Sequence, residues 1–562
     1  MAKAEATIEE LVSMIERGEL RLPEMQRQYV WRSTRVRDLL DSLYRGYPSG
    51  AILLWETDEE VPTRDYAFDT STNPYQATKL LLDGQQRLTS LAAIIRGEPV
   101  TVRGRRRPIE LLFNLEHPDG LPRILEVNEN ADDDGDLDEV PDASEDDLQR
   151  RFEEMTFLVA TNRVAALPQW VKVSEVFQSD SDSAFLRAAG VENFDDPRFE
   201  KYTQRLARLR SIRHYVYRMD VLERSLSYDE VTEIFVRVNS LGAKLRSSDL
   251  ALAQITAKWR NSLKTFQDFQ QTCETQGFSL DLGIYLKNLV AFATGQSRFL
   301  SVGTIPLERL QESWDKARTS MEFAIDFMRS NTGIDSPSLL SSPFLLISVG
   351  YYGHSKDYSI TPQQSDALRR WVLLANAKGR YSRGSTETLL DQDLAVIRDG
   401  GDATQLLDRL RLQVGRLEIS PDELEGRNQR SALFKTMFLA FRAAGARDWQ
   451  SDLQIALDRA GAQHRLQFHH IFPKAYMREH FRTREVDDIA NLAFIDGRTN
   501  RRIQARPPDE YLPPLIEQRG DAQFAAQAIP TNLELLNRDH YREFLTERRE
   551  RIATMLNDFI GS

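Results

Sequence analysis

Gln467-Phe468-His469-His470-Ile471-Phe472-Pro473 is the stretch on which the reading of this chain turns. About twenty residues on comes Asn491-Leu492-Ala493-Phe494-Ile495-Asp496-Gly497-Arg498-Thr499-Asn500-Arg501-Arg502. Histidine is scarce, 8 in 562 residues, yet two stand side by side here in an apolar-aromatic run that a proline stops. An imidazole binds a divalent metal or takes a proton near neutral pH, so an adjacent pair can do both jobs at one phosphate. The asparagines can complete a metal shell, and the arginines can hold a nucleic-acid backbone. Strand neighbours point to opposite faces, so the bland alternative is two unrelated histidines at the end of a buried strand. A loop at this point would let both face one site, and Pro473 fits such a break.

Composition narrows the class. With 41% apolar and 28% charged residues the chain reads as globular, and its length predicts three or four domains. No apolar run reaches the roughly 20 residues of a membrane helix. The longest, Pro343 to Tyr352, contains Ser348 and Gly350. The N-terminus lacks the apolar core of a signal peptide, so the expected location is cytoplasmic. The single cysteine, Cys273, excludes a disulfide within the sequence and any multi-cysteine zinc site. Net charge of −12 argues against nonspecific coating of nucleic acid. Locally the balance differs: 464–506 holds nine Lys/Arg against five Asp/Glu, whereas 126–147 holds twelve acidic residues and no basic one. The acidic run reads as a solvated insertion, or alternatively as a DNA-mimicking strip that shields a basic site.

Working outward, Thr7-Ile8-Glu9-Glu10 is a capping box, Ile8, Leu11, Val12 and Ile15 follow helical spacing, and Gly18 marks a stop. Leu22 to Trp31 reads as extended. A second helix is expected from Ser33 to Gly46, with buried strands at 51–55 and 79–82. The latter runs into Asp83-Gly84-Gln85-Gln86-Arg87, after which Leu88, Leu91, Ala92 and Ile95 share one helical face. A strand-to-helix handover presents backbone N–H groups and the positive end of the helix dipole to anions. Gly84 lets a backbone approach, Arg87 can grip phosphate, and Asp83 can hold a bridging cation. The alternative is a turn stabilised by Asp83 and Gln85. No Gly-x-x-x-x-Gly-Lys occurs, which excludes P-loop chemistry. A third box, Ile234 to Leu245, places Arg237 and Asn239 at the end of a helix that starts near Ser227, with Ser247 or Ser248 capping the next. Tyr29 and Trp31 read either as core or as an aromatic wall that stacks a base. Helical patterns at 282–293, 307–328, 363–377 and 404–417 predict a helical connector, and Trp371, Arg380, Tyr381 and Arg383 in it read as packing, with a DNA contact as the alternative.

His-His-Ile-x-Pro, then Asn-Leu-x-x-Ile, then Asn-Arg-Arg-Ile resembles the HNH nuclease signature, over about a quarter of the chain. That family folds as a hairpin plus helix around one metal ion. The three N-terminal boxes, Gln26, Arg27, Tyr29 and Trp31, then Asp83 to Arg87, then Phe235, Arg237, Asn239 and Gly242, resemble the N-terminal domain of GmrS-like proteins over residues 8 to 255. The whole is similar to fused GmrSD-like and SspE-like modification-dependent (type IV) restriction nucleases, some of which recognise glucosylated cytosine or phosphorothioate backbones. The resemblance implies an α+β multidomain chain: a ParB/sulfiredoxin-like nucleotide-binding domain (1–255), a helical connector (256–422) and an HNH ββα-metal domain (423–562). It implies His470 as general base, His469 and Asn500 as ligands of Mg²⁺ or Mn²⁺, and Asn491 as the residue fixing the loop that carries the base. Asp83, Gly84, Gln85, Gln86, Arg87, Arg237 and Asn239 would serve a nucleoside triphosphate and its hydrolysis. Gln26, Arg27, Tyr29, Trp31, Arg501 and Arg502 would meet DNA or its modification. The implied function is a nucleotide-regulated DNA endonuclease of anti-phage defence, with a homo-oligomer among the expected partners. The alternative is a nucleotide-dependent DNA-binding regulator that does not cut.

Overall fold

A computed structural model describes residues 2–26, 29–58, 61–64, 66, 78–102, 105–119, 155–160, 162–241, 246–457 and 464–561. Arg27, Gly242, the acidic run 126–147 and the side chain of Asn239 lie outside the described residues. The chain forms two compact units, Met1–Leu263 and Lys264–Ser562.

The first unit is built on a mixed sheet. Its strands are β1 (Ala2–Thr7), β2 (Leu20–Pro23), β3 (Ile52–Thr57), β4 (Thr63–Arg64) and β5 (Thr78–Asp83). There follow a small hairpin, β6 (Val100–Val102) with β7 (Arg105–Arg107), and a three-stranded sheet of β8 (Leu111–Asn114), β9 (Phe157–Val159) and β10 (Trp170–Lys172). β11 (Val216–Leu222) returns to the main sheet, whose order is β1-β11-β3-β5-β2-β4. β11–β3 and β2–β5 are parallel pairs; β3–β5 is antiparallel, with Leu54 opposite Leu81 and Trp55 opposite Leu80.

Alternation along these strands feeds two cores. Ile52, Leu54 and Leu81 face α1 (Ile8–Glu16), α2 (Ser33–Tyr44) and α3 (Gln85–Arg96). Leu53, Trp55, Leu80 and Leu82 pack with Met25, Val231 and Phe235 on the other face, where α4 (Tyr228–Leu241) and α5 (Ser247–Lys258) lie. The capping box forms as the spacing predicts: Thr7 N donates to Glu10 Oε2 at 2.7 Å and Glu10 N to Thr7 Oγ1 at 3.2 Å. Ile8, Leu11, Val12 and Ile15 are all fully buried, each contributing roughly 1.5–3 kcal/mol over its exposed state. Two expectations shift. Among the described residues of that stretch only Leu22 and Pro23 are strand, in β2, and the chain turns after Pro23, where β2 meets the two-residue β4. The cap of α5 is Arg246 rather than a serine.

The second unit starts as a stack of helices: α6 (Leu282–Thr294), α7 (Leu307–Phe327), α8 (Phe344–Ser355), α9 (Pro362–Lys378), α10 (Thr386–Arg398), α11 (Ala403–Val414) and α12 (Ala432–Ala443). Four of them coincide with the periodic segments read from sequence. Trp371, Arg380 and Tyr381 prove to be core. The Arg380 guanidinium donates to both oxygens of buried Asp393, at 3.0 and 2.8 Å, and Tyr381 Oη donates to Asp393 as well. A buried ion pair endures only when its remaining polar atoms are satisfied, and this one is built that way. The rest of the unit carries β12 (Leu466–His470), β13 (Leu492–Asp496), α13 (Gly497–Ile503), α14 (Pro508–Arg519) and α15 (Tyr541–Gly561). Among the described residues no helix is long and apolar enough to cross a membrane.

Candidate functional site

The paired histidines close β12, which pairs antiparallel with β13 so that His469 stands opposite Ala493 and His470 opposite Leu492. α13 follows β13 directly, giving a hairpin plus helix. Phe468, Phe434 and Phe494 form an aromatic cluster, with centroids 5.0–5.8 Å apart, that seats the hairpin. Asp496 caps α13 by accepting from Thr499 N at 2.7 Å. Buried Asp448 braces the same corner, accepting from Asp496 N and Thr499 Oγ1, both at 2.8 Å. The strand runs through His470, so the expected loop between the two rings is absent. The bend falls at Ile471–Phe472 instead, and the rings keep separate partners on opposite faces.

His469 is buried. Its Nδ1 lies 2.8 Å from Asn500 Oδ1 on α13, and its Nε2 lies 3.1 Å from Tyr511 Oη on α14. Trp449 meets the ring edge-on at 5.7 Å. Burial pushes its pKa down to about 4, because no carboxylate stands against it to favour the cation.

His470 is half-buried. Its Nε2 lies 3.0 Å from Asp487 Oδ1, and Lys474 Nζ reaches the same oxygen at 2.8 Å. Burial lowers the His470 pKa, with Asp487 opposing and Lys474 assisting. Burial works to raise the Asp487 carboxyl, but its bonds from Lys474 and His470 outweigh that and hold it below the usual range. An imidazole whose Nε2–H is held by a carboxylate keeps Nδ1 as a proton acceptor.

Asn491 is fully buried and pins the turn beyond His470. Its Oδ1 accepts from Phe472 N at 2.8 Å, and its Nδ2 donates to the carbonyls of Phe472 at 3.0 Å and Val486 at 2.9 Å. The next layer is Arg548 of α15, fully buried, donating to the carbonyls of Ala490 at 2.6 Å, Leu492 at 2.7 Å and Gln527 at 3.1 Å. Burial pulls its pKa down to about 9. Arg501 and Arg502 lie exposed on α13, with Arg502 donating to Gln450 at 2.9 Å. Among the described residues no cluster of three or more His, Cys, Asp or Glu is arranged to hold a metal ion. The donors that converge are one imidazole nitrogen and one carboxamide oxygen, a mixed N/O pair suited to a hard or borderline divalent cation that keeps water or phosphate oxygens as its other ligands.

In the first unit the boxes meet around β5 and α3. Gly84, at φ +97, caps α3, and a Cβ there would lie 2.7 Å from Ile52 Cδ1. Arg87 donates to the carbonyls of Ser49 and Ala51, the latter at 2.7 Å, and to Asp83 at 3.2 Å, so its guanidinium ties the loop before β3 to the box. Gln86 Oε1 accepts from Val30 N at 2.9 Å and Trp31 N at 3.2 Å. Gln26 Nε2 donates to the carbonyls of Leu81 and Leu82, and Tyr29 Oη bonds Ser90 Oγ at 2.8 Å. Trp31 is half-buried beneath the Arg35 guanidinium, 5.3 Å from its ring centre. In the third box Phe235 enters the core while Arg237 is exposed and paired with Glu233. Gln85 is buried at the start of α3.

Asp487, Lys474 and Tyr511 were not singled out from sequence. Lys474 follows Pro473 directly, a position that proximity could have flagged. Asp487 and Tyr511 lie 17 and 42 residues from the histidines they bond, with no motif to link them.

Comparison with known proteins bears on the N-terminal part of the chain. An uncharacterized protein of Methanocaldococcus jannaschii is 22% identical over 582 residues, which cover 96% of this chain and 92% of that protein. Residues 8–256 match the family model described as GmrSD restriction endonuclease, N-terminal domain. Through that part of its length, the chain is similar to the GmrSD restriction endonucleases.

Proposed function

We propose that the chain is a metal-dependent DNA endonuclease of the HNH kind, regulated by a nucleoside triphosphate and acting in prokaryotic anti-phage defence on modified DNA. The observation that supports this most is the match of residues 8–256 to a restriction endonuclease family. The hairpin plus helix at β12–β13–α13 sets His469 against Asn500 and His470 against Asp487, and because regular pairing turns the two rings to opposite faces, their joint action at one phosphate requires the strand end to bend at His470 when DNA binds.

In this reading His469 and Asn500 hold Mg²⁺ or Mn²⁺, which when bound stabilises charge on the scissile phosphate and leaving oxygen. His470 takes the proton of the attacking water at Nδ1. Asp487 accepts its Nε2–H, fixing the tautomer and the ring, and Lys474 keeps that carboxylate ionised. Asn491 holds the turn after His470, and Arg501 and Arg502 meet the DNA backbone. In the first unit Asp83, Gly84, Gln85, Gln86, Arg237 and Asn239 serve the nucleotide, with the N-terminus of α3 favouring its phosphates. Arg87 acts there by holding the box closed. Trp31 meets the base or its modification, while Gln26 and Tyr29, buried as core rather than as an open wall, brace it from behind through the Leu81 and Leu82 carbonyls and Ser90.

The test is plasmid nicking with Mg²⁺, Mn²⁺ or chelator, across nucleoside triphosphates and across unmodified and modified DNA. Cutting that needs the cation and fails in His470→Ala is the expected result. Full activity in His470→Ala would overturn the assignment, and DNA binding without cutting under every condition would favour the regulator.

A further inference from the structure

We infer that Tyr511 is a positioning residue: it holds the His469 imidazole with its proton on Nε2 and leaves Nδ1 as a bare lone pair facing Asn500. The functional consequence rests on the reading of His469 as a metal ligand.

The argument is a count of protons along one hydrogen-bonded chain. Tyr511 Oη lies 2.9 Å from the carbonyl oxygen of Ile471 and 3.1 Å from His469 Nε2. A carbonyl only accepts, and a phenol has one proton. With that proton given to Ile471, Oη can only accept from His469, so Nε2 must carry hydrogen. His469 is enclosed, and its two partners, Tyr511 and Asn500, are uncharged, so the ring is neutral and Nδ1 is bare. The opposite tautomer would turn the phenol proton toward Nε2 and leave two buried oxygens 2.9 Å apart with no proton between them.

Tyr511 cannot easily swing away. It is 1% exposed and stacks on Trp449 at 6.3 Å, and Trp449 also meets the His469 ring edge-on. The other side of the ring sets a condition. Asn500 Oδ1 lies 2.8 Å from Nδ1, a contact that an Nδ1–H would also satisfy, so the inference requires the carboxamide to be turned with Nδ2 toward Nδ1. A carboxamide has the same shape either way round. In the inferred state Asn500 would present its Nδ2–H to Nδ1 without a cation and Oδ1 with one, when both atoms would be free to hold it. A hydrogen bond to the remote ring nitrogen orients a ligating histidine in just this manner, and its loss weakens metal affinity about 10–100-fold.

The experiment uses the full chain labelled with [¹⁵N]histidine, stripped of metal by chelator. The ring nitrogen shifts of His469, assigned by their loss in His469→Asn, report the tautomer. Protonated Nε2 with bare Nδ1 in the wild type is expected, with a mixed population in Tyr511→Phe. Protonated Nδ1 in the wild type overturns the inference, and that measurement needs no variant of Tyr511 to fold. Mn²⁺ titration then separates the two layers. Weakening of about 10–100-fold in Tyr511→Phe supports the inference. Wild-type affinity in Tyr511→Phe, alongside loss in His469→Asn, overturns it. Wild-type affinity in both variants removes His469 as a ligand, and the tautomer alone then decides the role of Tyr511.

Discussion

Asn491→Ala is the perturbation whose consequence can be worked out most fully. The side chain is fully buried and makes three hydrogen bonds, all to main-chain groups: Phe472 N at 2.8 Å, Phe472 O at 3.0 Å and Val486 O at 2.9 Å. Each such bond contributes about 0.5–1.5 kcal/mol net, and a buried partner left unpaired costs about 1–3 kcal/mol. Water entering the vacated space would satisfy part of the loss, so the total comes to about 3–5 kcal/mol. That is a large share of the roughly 5–15 kcal/mol that holds a domain together. The loss falls on the turn that carries the chain away from His470, so nicking should decline with local order. Hydrogen exchange read by mass spectrometry over peptides spanning 464–500 should show protection reduced roughly 10²–10⁴-fold, since each 1.4 kcal/mol is a factor of ten. Urea unfolding should show the second unit destabilised by the same amount. A change under about 1 kcal/mol, with protection intact, would refute the reasoning. If nicking were nevertheless lost in that case, Asn491 would have to act on the chemistry itself.

Three further outcomes are expected. His470→Ala should lower nicking about 10²–10⁴-fold while leaving nucleotide turnover and the unfolding curve nearly unchanged, as plasmid assays and urea titration will show. Arg87→Ala removes the bonds to the Ser49 and Ala51 carbonyls. It should destabilise the first unit by about 2–4 kcal/mol and weaken nucleotide binding in calorimetric titration; wild-type affinity and turnover would leave the box a structural device alone. Stability should also fall on acidification. His117 is buried against Tyr44, and burial pushes its pKa down to about 4 from 6.5. Between those values the unfolded chain holds a proton that the folded one does not, so stability is complete above pH 6.5 and is lost as pH falls toward 4, by at most about 3 kcal/mol from this group. Urea midpoints from pH 7 to 4 should fall less steeply in His117→Gln.

Much of the fold was legible in the sequence because its signals are local. A capping box closes over four residues, so Thr7 and Glu10 announced α1 without any knowledge of what it packs against. The periodic runs at 282–293, 307–328, 363–377 and 404–417 each became a helix, because an amphipathic stripe is written within a few turns of chain. The handover at Asp83–Gly84 was equally readable, since the glycine that starts α3 sits in the left-handed region that favours glycine.

What sequence alone determined was which residues are candidates for chemistry: the rare adjacent histidines, the asparagines downstream and the boxes around β5. What only the tertiary structure decided was the company those residues keep. Nothing local says that Asp487 meets His470, that Tyr511 meets His469, or that Arg87 turns its guanidinium onto the Ser49 and Ala51 carbonyls. Nor does local pattern reveal that β12 stays regular through His470, keeping the two rings on opposite faces. The physical reason is the same in each case. Helix and turn propensities act over a few residues, whereas a hydrogen bond between side chains 17 to 42 residues apart exists only once packing has brought their elements together and removed the competing water.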